Sequence, residues 1–448
     1  MWIGMLALVS SAMVQSAAGG GWMAGSATVD ITPHEPMWLA GYAARDHEAE
    51  STLHPLWLKA LALEDAAGNR ALLITADVLG FPKPASDRIR NRIERTHDLT
   101  RGQVILSASH THSGPVLDES LLCIYPLDDA GLAKVKAYTT QLEDHAVAAA
   151  QAAFDALAPA QLAAGNGVCR FAVNRRNNNE REILKTYDFE GPVDHAAPVL
   201  KVTGEDGEAK AILFGYACHN TTLSGYDWCG DWAGFAQLAL EREYPGATAM
   251  FFAGCGADQN PLPRRTIPLA KQYGEELAAA VARVLTEAMM PLAPELKTAY
   301  TETILALEEP PTREELEAKA AESSGYMKRA AEAFLAELDA DRPLHTEYPY
   351  PVQAWQLGGQ TLVALGGEVT VGYSVGIKKL LGHDTFVMAY ANDVMSYIPT
   401  ETVLAEGGYE GDTSQFIYGM PAKWQPGLEA QILDTVKQVA AEAGVAPE

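Results

Sequence analysis

Short apolar runs alternate along the chain with longer segments in which hydrophobic positions recur at helical spacing. Residues 72–74, 104–107, 199–202, 211–217 and 249–253 read as strands, and Ala-rich stretches separate them. Helices are predicted over 132–157, 269–289 and 428–443. Between 310 and 341 a charged Ala/Glu/Lys segment opens on Pro311, Thr312 and two glutamates. An N-cap followed by first-turn acids predicts a solvated helix there, without chemistry of its own. Apolar strands with helices on both sides predict an α/β fold, a mixed β-sheet core flanked by helices. No repeat, low-complexity tract or clear linker interrupts the chain. One large unit is therefore expected over 19–448, with a second lobe from about residue 300 if it divides at all.

Composition narrows the classes. With 448 residues, 48% hydrophobic and 20% charged, the chain has ample material for a large core, which excludes disorder and a disulfide-built mini-scaffold. The 33 basic and 58 acidic side chains leave a net charge of −25, which repels phosphate backbones and anionic headgroups. Nucleic acid is thereby excluded as a partner. Cys123, Cys169, Cys218, Cys229 and Cys255 form no CxxC pair, so a disulfide framework is not expected, although one bridge is compatible with the count. At the N-terminus an apolar run over 2–9 is followed by small residues, with Ser16 and Ala18 suiting a cleavage site. We read 1–18 as an atypical signal peptide lacking a preceding Lys or Arg, which implies a secreted or periplasmic protein; the alternative is a frayed or upstream start. No apolar run is long enough to form a transmembrane segment.

Candidate chemistry gathers at strand exits. The run 104–107 leads into Ser109-His110-Thr111-His112-Ser113-Gly114-Pro115. Read as a continuation of the strand, this puts His110 and His112 on one face at the strand's C-terminal end, ~7 Å apart, where α/β sheets bind ligands. Two surface histidines in a turn are the bland alternative. A second apolar run, Phe214-Gly215-Tyr216-Ala217, delivers Cys218 and His219 at its exit, and two such exits suit a zinc site whose imidazoles arrive from separate rigid elements. Cys218 reads as core; Cys229 stays open between core and soft ligand. A third run, 360–365, ends in Gly366-Gly367-Glu368-Val369-Thr370, where Glu368 is either a ligand or a favourable acid near a helix start. Tyr397, in Ser396-Tyr397-Ile398-Pro399, taken alone reads as a core aromatic.

Taken together these segments resemble the neutral (non-lysosomal) ceramidase family, whose zinc-dependent catalytic domain hydrolyses the amide of N-acylsphingosine. Asp30-Ile31-Thr32-Pro33 and Ala40-Gly41-Tyr42 are similar to its N-terminal elements, and His110-Thr111-His112-Ser113-Gly114-Pro115 to its HTHSGP signature. Asn174-Arg175 and His219 with Gly230-Asp231 and Gly234 follow in the family's order. The resemblance implies one zinc per chain held by His110, His219, Glu368 and Tyr397. It also implies His112 as a proton-transfer or oxyanion-stabilising group and Arg175, or in its place Arg176, at the site of a small N-acyl or lipid-like substrate. Such a set is chemically coherent, because zinc brings bound water to a pKa of about 7 while a neighbouring imidazole protonates the leaving nitrogen.

The chain departs from the family in two places. Where the family carries a loop with a catalytic serine, the sequence reads Gly254-Cys255-Gly256-Ala257-Asp258-Gln259-Asn260-Pro261, with Gln259 in the serine's place. Gln259 can donate an amide hydrogen bond to an oxyanion but cannot act as a nucleophile. Direct attack by activated water is thus favoured, with Asp258 and Asn260 expected as turn residues and Cys255 as a buried thiol. An appended immunoglobulin-like domain is also not expected, since 426–445 reads as a closing amphipathic helix. Both departures turn the expectation from ceramide itself toward a more soluble acyl amide or ester. An esterase, deacetylase or peptidase-like hydrolase and a non-catalytic binding protein stay open as alternatives.

Overall fold

The computed structural model describes residues 21–445; the segment read as a signal peptide lies outside them. Its main sheet runs Thr248–Ala253, Ala209–Tyr216, Ala196–Gly204, Ala158–Val168, Trp22–Asp30, Trp57–Glu64, Arg70–Ala76, Val104–Ala108, with Met290–Leu292 also paired to Ala158–Val168. The two end pairs are parallel and the interior pairs antiparallel, so the sheet is mixed, as the pattern predicted.

Alternate residues of these strands serve different cores. Ala60, Ala62, Leu72, Ile74 and Phe214 pack in one cluster with the helices Asp129–Asp155, Asp231–Glu243 and Ile267–Thr286. Leu61, Leu63, Leu73, Leu213 and Phe252 face a second sheet, in the order Leu296–Ala306, Glu347–Leu357, Gln360–Leu365, Phe386–Met388. The far side of that sheet, through Val352, Ala354 and Leu365, meets Val371–Leu381 and Leu428–Glu442. Four layers result: helices, sheet, sheet, helices. Strands buried on both faces are apolar at most positions, which is why Val104–Ala108, Thr248–Ala253 and Gln360–Leu365 stood out as apolar runs. Leu296–Ala306, exposed at alternating positions, carries Lys297, Thr301 and Glu302 and escaped that reading.

The predicted helices are present as Asp129–Asp155, Ile267–Thr286 and Leu428–Glu442. The charged segment holds two helices, Arg313–Glu322 and Gly325–Asp339. Thr312 caps the first in a full capping box, and the chain breaks at Ser323-Ser324 before Gly325, whose φ of +59° lies in the left-handed region. All five cysteines are free, so the single bridge left open by the count is absent.

Candidate metal centre

Four parallel strand pairs end at one place. His110 follows Val104–Ala108, His219 follows Ala209–Tyr216, Glu368 follows Gln360–Leu365, and Glu368 and Tyr397 are themselves partners in a short parallel bridge. This register seats the carboxylate beside the phenol although they lie 29 positions apart in the sequence.

His110 and His112 converge, but not by strand alternation. The strand stops at Ala108 and His110 takes φ +58°, turning the chain so that the Nε2 atoms of His110 and His112 stand 3.2 Å apart. A non-glycine residue in this region is strained, and such strain collects at functional sites. The His112 ring is accommodated because residue 41 is glycine: at φ +93° a Cβ there would run into the imidazole.

The Nε2 atoms of His110 and His219 lie 3.2 and 3.1 Å from Glu368 Oε2, and the Tyr397 hydroxyl lies 3.4 Å from His219 Nε2. All of these residues are buried. Ligand-capable atoms of His110, His112 and His219 lie within 4.8 Å of one another. Nδ1 of His110 donates to the Leu79 carbonyl at 2.7 Å and Nδ1 of His219 to the Gly256 carbonyl at 2.8 Å. These bonds fix the tautomer that leaves Nε2 with a lone pair directed at the Glu368 carboxylate. A second proton on His219 is opposed by burial and by Arg175, which push it down to about 4. Glu368 Oε2 therefore faces lone pairs with no donor in hydrogen-bonding position, and the carboxylate–imidazole pairing is not a closed salt bridge. A buried set of two imidazoles, a carboxylate and a phenol with lone pairs converging fits a divalent cation.

His112 differs from the other two. Its buried Nδ1 has no hydrogen-bond partner, so nothing anchors its tautomer, and burial holds its pKa well below the ordinary value. Its other face packs on Tyr42 at 4.6 Å between ring centroids.

Arg175 donates from Nη2 to the Tyr397 hydroxyl at 3.2 Å and from Nε to Glu410 at 2.7 Å. Arg176 sits one step away, tied to Glu406 and Glu410. Of the two arginines, Arg175 is thus the one brought to the centre. Several neighbours escaped the sequence reading. Tyr418 donates to Glu368 Oε1, the Tyr390 ring lies 4.3 Å from that of His110, and Tyr409 packs edge-on to Tyr397 at 5.3 Å. Nothing local marks them, because each acts through a residue distant in sequence.

Gln259 lies beside the centre but its amide is committed elsewhere. Nε2 donates to the Ala217 carbonyl, Oε1 accepts from the Asp194 amide at 3.3 Å, and its own backbone carbonyl accepts from His219 N at 2.8 Å. An oxyanion-donating Gln259 does not match this geometry; the residue positions His219. Asp258 accepts from Val371 N and Asn174 Nδ2, Asn260 accepts from Arg175 at 3.5 Å, and Cys255 is buried. Cys218 is buried, and Cys229 lies 3.2 Å from His54 Nε2, so neither thiol joins the centre.

Fold and site together define an α/β protein with a histidine-rich candidate metal centre at the C-terminal ends of its parallel strands. The chain belongs to the neutral/alkaline non-lysosomal ceramidase family, whose N-terminal model matches residues 22–280. The neutral ceramidase of Pseudomonas aeruginosa is 26% identical over 194 residues, 42% of this chain and 28% of that protein. Neutral ceramidase B of Dictyostelium discoideum is 25% identical over 252 residues, 53% of this chain and 34% of that protein. The matched stretches thus span about a third or less of these relatives. Two solved structures share the fold. A ceramidase complexed with C2 gives a TM-score of 0.73 at 18% identity, covering 96% of this chain and 76% of that one. The neutral ceramidase of Pseudomonas aeruginosa gives 0.71 at 19%, covering 96% and 75%. Among the described residues, no helix is long and apolar enough to cross a membrane.

Proposed function

We propose that this protein is a zinc-dependent hydrolase that cleaves a linear amide bond of an N-acyl substrate, N-acylsphingosine or a related N-acyl compound. The carrying observation is the buried convergence of His110 and His219 Nε2 on Glu368 Oε2, with both Nδ1 atoms anchored to carbonyls. His110, His219, Glu368 and Tyr397 would hold the ion. When bound there, zinc supplies Lewis acidity and brings the pKa of water to about 7.

The chain's own residues do the rest. His112, unanchored at Nδ1, takes a proton from the attacking water and returns one to the leaving nitrogen. The water oxygen joins the acyl carbon as the C–N bond breaks, giving a carboxylate and an amine. Arg175 fixes the Tyr397 hydroxyl and orients a substrate oxygen. Family membership supports the amide bond as the target. The absence of a hydroxyl nucleophile at Gln259 favours direct attack by water, and also a second reading, an esterase, deacetylase or peptidase-like hydrolase on a more soluble substrate. The apolar N-terminal run supports export to the periplasm or exterior.

Purified protein is expected to carry about one zinc per chain, by elemental analysis. His110→Ala and His219→Ala should each lose the metal and at least ~10³-fold in kcat/KM. Full zinc content in the double variant would overturn the ligand assignment. Preference for esters or short peptides over N-acyl amides would select the second reading. No chelator-sensitive turnover of any of them would leave a binding protein on the same fold.

A further inference from the structure

Of the ten large hydrophobic side chains exposed among the described residues, four fall in one short segment: Leu184 at 81%, Tyr187 at 93%, Phe189 at 51% and Val193 at 37%. Exposed singly, such residues are ordinary, but four within ten positions mark a docking surface. We propose that the segment 180–193 is an interfacial loop that inserts Leu184, Tyr187 and Phe189 into a zwitterionic lipid bilayer. The choice of a bilayer rests on the N-acylsphingosine reading of the substrate, since such a lipid dissolves in a bilayer and not in water.

The loop is tied down at its base while its apolar side chains stay outside. Asn178 Nδ2 donates to the Asn174 and Glu190 carbonyls, both at 2.8 Å, and Asn178 Oδ1 accepts from Glu190 N at 3.1 Å. Asn174 Nδ2 donates to the Pro192 carbonyl at 3.0 Å, and Arg264 makes two bonds to Glu180, at 2.8 and 2.6 Å. Of the apolar side chains in the segment only Ile183 is buried, in a small cluster with Val173 and Leu262. A loop already ordered loses little further entropy on binding, so its exposed apolar area is free to drive insertion.

Both ends of the loop lead to the candidate centre by separate routes. Before it, Asn174 adjoins Arg175, whose Nη2 donates to the Tyr397 hydroxyl. After it, Asp194 N donates to Gln259 Oε1, and the Gln259 carbonyl accepts from His219 N. Docking through this loop therefore sets the centre against the surface that holds the lipid.

Charge selects the kind of surface. Within the loop Arg181 and Lys185 stand among Glu182, Asp188 and Glu190, and the whole chain carries −25. A second copy of the chain, or a membrane rich in anionic lipid, would be repelled, whereas a zwitterionic bilayer opposes the apolar contact with no net charge. Tyr187 suits the headgroup region through its amphipathic ring, and Lys185 can lay its stem along the boundary with its ammonium in water.

The test is flotation of the full chain with phosphatidylcholine vesicles free of N-acylsphingosine, at low and high salt, beside vesicles enriched in phosphatidylserine. Salt-insensitive flotation on phosphatidylcholine is expected, lowered about 10²-fold in the triple variant Leu184→Ser, Tyr187→Ser, Phe189→Ser. Its circular dichroism and its turnover of a water-soluble short-chain N-acyl amide should match the unaltered protein. Tyr187→Ser alone is the second probe should the triple variant fail to fold. No flotation, equal flotation of the variants, or flotation confined to phosphatidylserine vesicles overturns the inference. So does self-association, seen by sedimentation, that the triple variant abolishes while vesicles bind neither form. Because the vesicles hold no substrate, flotation without amide hydrolysis upholds the loop and counts against the hydrolase reading, and hydrolysis without flotation does the reverse.

Discussion

The segments 109–115 and 254–261 leave strands at opposite ends of the main sheet, and both are largely buried, yet they use their side chains in opposite ways. In 109–115 the side chains reach the centre directly, with His110 and His112 presenting Nε2 to it. In 254–261 polar side chains and carbonyls are turned to the chain around the centre. Gly256 O holds His219 Nδ1, Gln259 O holds His219 N, and Asp258 holds Val371 N just after Glu368. One loop presents its side chains to the candidate centre, and the other orients side chains supplied by its neighbours. A polar residue at a strand exit is therefore not evidence of chemistry until its own hydrogen bonds are accounted for.

Gly41→Ala should break the first loop most severely. A Cβ there meets the His112 ring and the backbone is at φ +93°, so kcat should fall on the order of 10²-fold while zinc stays bound, measured by steady-state kinetics with elemental analysis. An unchanged kcat would remove His112 from the reaction. Gln259→Ala tests the second loop. It leaves the Ala217 carbonyl and the Asp194 amide without partners, and denaturant unfolding should show a loss of about 1–3 kcal/mol. A fall of ~10²-fold in kcat at full stability would instead restore the oxyanion role. The last effect is confined to acid pH, at Asp258. Burial raises its carboxyl to about 6, against the lowering bond from Val371 N. The folded state thus binds this proton more tightly than the unfolded chain, so its contribution to stability grows as pH falls from about 6 toward 3.8, by at most ~1.4 kcal/mol per pH unit. Asp258→Asn should flatten that part of the stability profile.

Legibility in the sequence followed burial. Strands covered on both faces, such as Val104–Ala108 and Thr248–Ala253, were plain as apolar runs, whereas the half-exposed Leu296–Ala306 was not. In the site, HTHSGP and His219 could be read because each sits at the end of such a run. Tyr397 was implied as a ligand only by family resemblance, and Glu368 stood open between ligand and helix-start acid, since an isolated Glu or Tyr has an ordinary structural use. Tyr409, Glu410 and Tyr418 had no signal at all: their contacts with Arg175, Arg176 and Glu368 span 50 to 235 positions.

By itself the sequence determined the α/β class, the acidic surface and which strand ends carry histidine, because burial and periodicity act locally along the chain. Only the tertiary structure decided that His110 reaches His112 through a left-handed turn, that Gln259 is a support, and that Tyr418 binds Glu368. Those outcomes depend on where hydrogen-bond partners distant in sequence come to rest, and no local pattern encodes that.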